Sequence, residues 1–464
     1  MGTGRFPTQP IPPRKEGPLT FPVVTLKMLR LAGCFSCAMA LLALARMAIA
    51  QEGAGVGRFG DSTWVAPSYC VEPLRDDARV AAPDHERTAE TVLRTPFRVV
   101  FFPLRLVARG SEKVVGFASE YIVHPPQRVE WLGVRIGPAF GVSGTSGPAA
   151  GVSIQGHGGL GARSNLTATW STKDTRKIHF RAAVTDRRMP LGVTANASYD
   201  YLPNRRFYGM GNDADFNKTI YLRRENAGGV GVHFGADPYR RVYGVVGISD
   251  VNVGPGYTGV PRAQDVFSPD DVPGLETDTK VIGYGAGADL ASTDSRTDPT
   301  LGVHLRGRVL RQQSIDDHNL DYYDWSGEAR AYMPVLSNRR VIALRYVYKG
   351  VDPVGDSEEI PFYRMPSSAD EVRFAGFKGN RFVDHQLMLA HAEYRWIAWR
   401  RIWADLFLQY GEVAPYAEAF KASEAHRSIG GGLRTRLTGS TSARLEIGHS
   451  HEGTAVYLDL KGDF

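Results

Sequence analysis

VRFAGFKGNRFVDHQLMLAHAEYRWIAWRRIWADLFLQYGEV, residues 372–413, begins as a loop and ends as two strands. Phe374 to Phe382 reads as a glycine-aromatic hairpin, and Ala398-Trp399-Arg400 as a tight turn between two alternating runs. In the second run Ile402, Ala404, Leu406, Leu408 and Tyr410 share one face, while Asp405, Phe407 and Gln409 share the other. Such period-2 alternation over about ten residues, with aromatic residues at the strand ends, suits a strand facing lipid on one side. A soluble β-sandwich hairpin alternates too. The choice therefore rests on whether the rest of the chain repeats the pattern with even spacing.

It repeats from Trp131 to the last residue. Strands are expected at 131–142, 149–160, 164–172, 176–186, 191–201, 218–235, 240–251, 280–291, 300–312, 322–335 and 338–350. Five more follow at 385–397, 401–411, 427–437, 441–450 and 454–464. That makes sixteen, an even number, as in bacterial barrels. The connections are an independent test. Counted from a periplasmic N-terminus, every second one is short, such as Gly161 to Arg163, Leu336-Ser337 and Thr438 to Ser440. The alternate set holds the long ones: Leu202 to Asn217, Asn252 to Thr279, Val351 to Asp384 and Glu412 to His426. Short inner turns and long outer loops are the asymmetry of an outer-membrane barrel. A sandwich gives no reason for it.

Facing follows from parity. Ile178, Phe180, Ala182 and Val184 point to lipid, and Lys177, His179, Arg181 and Thr185 to the lumen; Leu301, Val303 and Leu305 oppose His304, Arg306 and Arg308 in the same way. A charge on the lipid face costs about 2–4 kcal/mol near the midplane, which enforces this sorting. In the last strand Val456, Leu458, Leu460, Gly462 and Phe464 share one face, opposite Tyr457, Asp459, Lys461 and Asp463. An alternating final strand ending on phenylalanine resembles the signal read by the machinery that assembles outer-membrane barrels.

Composition agrees. The 464 residues are 43% hydrophobic and 10% aromatic, with 51 glycines and a slightly negative mean hydropathy. Outside the leader no apolar run approaches the ~20 residues of a membrane-spanning helix. The charge of +6 and pI near 9.1 come mostly from residues 1–50, where Arg5, Arg14, Lys15, Lys27, Arg30 and Arg46 face only Glu16. The remainder is near neutral, so a nucleic-acid partner is not expected. Residues 1–50 read as an export signal: Lys27 and Arg30 precede the apolar stretch Leu31 to Ala45, and Ala48-Ile49-Ala50 is a small-x-small cleavage site. Residues 1–27 are Pro-rich and unlike a normal basic lead, which makes Met28 an alternative start. Cleavage after Ala50 leaves Cys70 alone and excludes an intrachain disulfide. Residues 51–130 form a periplasmic lead-in. Gln51 to Arg87 is polar, and from Thr88 to Val123 apolar residues recur at helical intervals, interrupted by Pro96 and Pro103. That helix packs on the barrel or plugs its lumen.

At residues 372–413 the sequence resembles the bacterial surface antigen superfamily, the BamA/TamA type of outer-membrane barrel. The family carries an Arg-Gly-aromatic tip on its sixth outer loop, then a strand with Glu-Tyr-Arg and another ending Phe-x-Asp-x-Gly. The matching positions are Arg373-Phe374-Ala375-Gly376-Phe377, Arg381-Phe382, Asp384, Glu393-Tyr394-Arg395 and Phe407 to Gly411, with Asp405 on the same strand. The loop is the sixth outer one by count, between the eleventh and twelfth strands. A second match, Phe207-Tyr208-Gly209-Met210-Gly211-Asn212, resembles the family's third outer loop. Two positions depart: the family's tip arginine falls on Ala375, and its aspartate on Gln409. The resemblance implies a loop folded into the lumen and held by wall residues. Arg373 or Arg381 is then expected to take the missing charge, paired with Glu393 or Asp405, with Arg395 and Gln409 beside them. A module of the periplasmic client-binding (POTRA) type is not expected, because Gln51 to Arg87 is too polar to build one.

Glycine clusters such as Gly156 to Gly161 lie outside any strand-helix unit, so they read as barrel bends and not as nucleotide loops. His449-Ser450-His451 reads as a turn, not a metal site, and no catalytic constellation, metal or cofactor is expected. The reading is a sixteen-stranded all-β transmembrane barrel over 131–464, not an enzyme, in a bacterial outer membrane. Its implied work is assembly or translocation of protein or lipid clients through a lateral seam. Its expected partners are outer-membrane lipids and lipopolysaccharide, nascent outer-membrane proteins, and the machinery that reads the C-terminal strand. The alternative is a passive pore or structural barrel, with Lys177, Arg181, Arg306, Arg308 and Arg345 favouring anions.

Overall fold

The computed structural model describes residues 129–131, 134–143, 147–158, 162–185, 190–214, 218–237, 239–257, 259–295, 298–369, 372–399, 402–436 and 441–462. The expected export signal, the whole of the expected lead-in helix from Thr88 to Val123, and Phe464 lie outside them. The described chain forms a single antiparallel sheet of a three-residue strand, β1 (Val129–Trp131), and sixteen barrel strands.

The barrel strands are β2 (Val134–Ser143), β3 (Gly147–His157), β4 (Arg163–Ser171), β5 (Arg176–Thr185), β6 (Leu191–Phe207), β7 (Thr219–Asp237), β8 (Arg240–Pro255) and β9 (Thr279–Ala291). They continue with β10 (Gly302–Ser314), β11 (Asp321–Val335), β12 (Ser337–Pro353), β13 (Gln386–Trp399), β14 (Ile402–Ala414), β15 (His426–Arg436), β16 (Thr441–Ser450) and β17 (Gly453–Gly462). Each pairs antiparallel with the next in the chain, so the sheet is an up-and-down meander. Every expected strand is present, and the four connections longer than ten residues, 208–218, 256–278, 354–385 and 415–425, all lie at one rim, as the parity argument required.

The outward band is apolar because hydrocarbon rejects charge. Ile178, Phe180 and Val184 on β5, Val230, Val232 and Phe234 on β7, and Ile429, Ile447, Val456 and Leu458 near the C-terminus are all exposed large hydrophobics. No helix among the described residues is long and apolar enough to cross a membrane, so any crossing is made by strands.

Strands of nine to eleven residues suffice to cross a bilayer. β4 and β5 have that length, but β6, β7, β8 and β12 run to 17, 19, 16 and 17 residues. The fifth expected strand, which is β6, ends too early, at residue 201. A register shift between Leu202 and Arg205, flanking Pro203, lets β6 absorb the missing proline donor and continue to Phe207. The extra length projects beyond the outer rim and carries the long loops.

Charged lumen residues are paired. Arg306 meets Asp289 at 2.6 Å, Arg308 meets Asp324 at 3.0 Å, and Arg330 and Arg345 converge on Glu328 at 2.7 and 2.5 Å. The expectation of an anion-favouring lining is corrected at Arg306, Arg308 and Arg345, whose charges are offset by neighbouring strands.

β2 and β17 end the meander. They are neighbours in the sheet and approach within 8 Å of one another. β2 also pairs with β1, through Val129↔Ile136, Glu130↔Arg135 and Trp131↔Val134.

Candidate functional site: the sixth outer loop and the wall that holds it

The loop between β12 and β13 is held by a hydrophobic patch first. Val372, Phe374, Phe377 and Phe382 are buried against Val347, Leu387, Leu389 and Val413 of β12, β13 and β14. The wall residues interrupt an otherwise polar lumen face, which leaves the loop's phenylalanines a dry surface to cover. Their rings pack at 5.2–6.4 Å, and Phe382 also stacks on His426 at 4.0 Å. Burying one such ring contributes about 1.5–3 kcal/mol, so the three offset the ordering of roughly four or five residues at about 1–2 kcal/mol each. The base of the loop is a hairpin: Ser368 N–H donates to Phe382 O, and Phe382 N–H to Ser368 Oγ, both at 2.9 Å.

The tip lies where its two departures from the family pattern meet. Ala375 N–H donates to Gln409 Oε1 at 2.7 Å, Gln409 Nε2 donates to Arg373 O at 3.2 Å, and Ser428 Oγ donates to Gln409 Oε1 at 3.0 Å. Gln409 Nε2 also lies 2.9 Å from His391 Nδ1. A neutral amide thus grips the loop's backbone where the resemblance implied an ion pair. Side chains at the tip leave no room for more. Gly376 has φ +81°, and a Cβ there would stand 2.6 Å from Ser450 N; a Cβ on Gly448 would stand 2.5 Å from that of Ala375. The loop tip and the β16–β17 hairpin are in backbone contact, and only glycine permits it.

Tyr457 of β17 completes the grip. Its Oη accepts from Gly376 N–H at 3.0 Å and donates to Phe377 O at 3.3 Å, while the Arg373 guanidinium lies 4.1 Å from its ring centroid. Ser450 Oγ donates to Gly376 O at 3.1 Å. One side chain on the last strand therefore touches three consecutive parts of the loop.

The expected arginine partners are corrected. Arg373 meets Glu446 at 3.4 Å, not Glu393 or Asp405. Arg381 is buried, with Nε 2.7 Å from Glu452 Oε1 and its other end donating to Ala214 O at 2.7 Å. Glu393 and Asp405 are instead occupied by the wall. Glu393 takes Arg395 at 2.5 Å, Arg434 at 2.8 Å and Arg444 at 3.4 Å; Asp405 takes Arg444 at 3.2 Å. Arg444 also reaches Glu446 at 3.2 Å, which links this network to Arg373. The register explains the separation. Gln409 opposes His391, whereas Glu393 opposes Phe407 and Asp405 opposes Arg395, so each lies farther toward the inner rim than Gln409. Asp384 stands apart from the tip and accepts from His385 N–H at 2.7 Å.

The third outer loop braces the assembly. Phe207 and Tyr208 are buried, Phe207 against Tyr221, Phe267 and Phe362. Gly209 follows, with the Phe267 ring edge against it, and then Gly211 N–H donates to Val383 O at 2.9 Å. Asn212 bridges outward, donating to Glu424 O at 2.8 Å and accepting from Val413 N–H at 3.4 Å. At the C-terminus Val456 and Leu458 face outward; Leu460 and Gly462 lie in β17, and Phe464 is outside the described residues.

Sequence reasoning missed Glu446, Glu452, Arg434, Arg444 and the partnership of Tyr457. For Glu446, Arg434, Arg444 and Tyr457, lumen-facing parity on β15 to β17 was the available signal, but parity names no partner across the barrel; Glu452 sits in the turn between β16 and β17, where parity says nothing.

The chain matches no protein-family model, and no curated protein matches it. Among solved structures it is similar to BamA from Haemophilus ducreyi lacking POTRA domains 1–3, at 14% identity and a TM-score of 0.52, over 72% of this chain and 70% of that one. It is also similar to CdiB from Escherichia coli at 13% identity and a TM-score of 0.48, over 72% and 63%. At such identities the likeness to BamA establishes the fold alone: this chain folds as a sixteen-stranded antiparallel barrel like that of BamA.

Proposed function

We propose that the chain is an integral barrel of a bacterial outer membrane that works in assembly or translocation, passing protein or lipid clients through the seam between β2 and β17. The observation that carries this reading is the BamA-like barrel fold with its sixth outer loop folded against the lumen wall and gripping the last strand through Tyr457. Held from inside by the loop, β17 is the fixed side of the seam and β2 the side that moves. A passive anion pore fits less well: the loop's apolar core occupies the lumen wall, and Arg306, Arg308 and Arg345 each meet a carboxylate. Outer-membrane lipids, lipopolysaccharide and nascent barrel proteins are the partners this reading assigns.

The test is photo-crosslinking in the native host from Val142 on β2 and Leu458 on β17. Adducts to other nascent barrel chains or to lipid are the expected result. Adducts confined to β2–β17 within one chain would mean a shut ring and would overturn the reading.

A further inference from the structure

We propose that the outward face of β5 to β8 carries a binding site for a phosphorylated, acylated glycolipid, the lipid end of lipopolysaccharide. Two arginines near the outer rim take its phosphate, and a groove below them takes an acyl chain. The inference rests on the outer-membrane reading above and gives one of its lipid partners an address.

Register places the groove. Phe180, Ala197, Gly228 and Ile248 stand opposite one another across β5, β6, β7 and β8, on the face turned away from the lumen. Phe180 and Ile248 are large and exposed, whereas Ala197 and Gly228 between them are too small to fill the row. The result is a groove of about 460 Å³, floored by those two and walled by Phe180, Val230, Val246 and Ile248. It has room to spare: a Cβ built on Gly228 would stand 3.6 Å from its nearest neighbour, Asn196 O. An unfilled groove forfeits dispersion contacts, so hydrocarbon facing it settles in.

Four residues farther along each strand toward the outer rim, about 13 Å away, the same face turns basic. Arg176, Tyr201 and Arg224 stand opposite one another on β5, β6 and β7. The Tyr201 ring centroid is 5.2 Å from the Arg176 guanidinium and 5.9 Å from that of Arg224, so one aromatic ring holds two cations that repel each other. Lys218 precedes β7 at the outer rim. Burial, with the charges of Arg206, Lys173 and Lys378, holds its ammonium below the ordinary value. Arg206, Lys218 and Arg224 meet no carboxylate among the described residues. The acids nearby are weak rivals. Asp174 meets Arg176 at 2.9 Å, but both are exposed and such a pair contributes little; Asp250 stands opposite Lys280. Phosphate offers paired oxygens to a guanidinium fork and more charge than a carboxylate, so it fits this cluster best. Arginine on the outward face is not enough by itself: Arg311 of β10 is held by Asp321 through hydrogen bonds of 3.0 and 2.7 Å, which makes it the control.

The test is titration of the purified full chain in detergent micelles with bisphosphorylated lipid A, read by fluorescence. Saturable binding is expected, weakened about tenfold in Arg176→Gln/Arg224→Gln and about fivefold in Gly228→Leu, which fills the groove, with Arg311→Gln unchanged. Each variant is first shown to keep the heat-induced gel shift of the folded barrel. Lipid A stripped of its phosphates needs no variant, and should bind the unaltered chain about tenfold more weakly. Equal binding of the two lipids, or by the double-arginine variant, overturns the proposal. So does displacement of lipid A by inorganic phosphate, which would make the cluster a site for the free ion. Crosslinking of two copies through position 228 without lipid A binding would assign the groove to a second barrel and overturn it as well. Client passage is read separately, by the seam crosslinks from β2 and β17, so failure of either result leaves the other standing.

Discussion

Gln409→Ala should release the sixth loop without unfolding the barrel. The Gln409 amide contacts Ala375 N–H, Arg373 O, Ser428 Oγ and His391 Nδ1, all within 2.7–3.2 Å. Only the first two reach the loop, since Ser428 and His391 belong to the wall; at roughly 1 kcal/mol net per hydrogen bond they contribute about 2 kcal/mol of docking energy. Since 1.4 kcal/mol is about tenfold, the loop should open roughly thirtyfold more often. Hydrogen exchange on the purified barrel in vesicles reads this directly from the peptide covering residues 372–382, with β13 as the internal reference. Gln409→Glu separates the roles: it keeps an acceptor for Ala375 N–H but loses the donor to Arg373 O, so an intermediate effect of about tenfold is expected. The reasoning fails if exchange of residues 372–382 in Gln409→Ala stays within threefold of wild type, because the grip would then be carried by the phenylalanine core alone.

Tyr457→Phe removes both hydrogen bonds to Gly376 and Phe377 but keeps the ring under Arg373; exchange at those two amides should rise about tenfold, with barrel stability unchanged. Glu393→Gln leaves Arg395, Arg434 and Arg444 short of a buried carboxylate, and should cost about 3–5 kcal/mol, seen as a lower temperature for the heat-induced gel shift. Phe180→Arg places a cation in the outward band of β5; refolding into lipid vesicles should weaken by about 2–4 kcal/mol, while His179→Arg on the lumen face should be nearly neutral.

The barrel was legible because two periodicities had to be satisfied together. Alternation sorts each strand's faces, and loop-length parity sorts the two rims; Ile178 with Phe180, and Leu336 against the long loop 354–385, are local facts that need no neighbour. The boundary of β6 was less legible, because Pro203 looks like a terminator and only the pairing with β7 shows that a bulge accommodates it. The site was legible as a location and not as a set of contacts. Residues 373–382 and 207–212 could be picked out from their glycine-aromatic spacing, but which acid meets which arginine depends on cross-barrel distances that no spacing encodes.

Sequence by itself determined the number of strands, the face each residue takes, and the loop that enters the lumen, because these follow from period, length and the refusal of hydrocarbon to solvate charge. Tertiary structure decided the partners. Arg381 reaches Glu452, Ala375 rests on Gln409, and Tyr457 binds Gly376, since closing the sheet brings β17 within reach of a loop some eighty residues upstream. It also decided that β1 folds onto β2, a pairing that alternation within either segment does not encode.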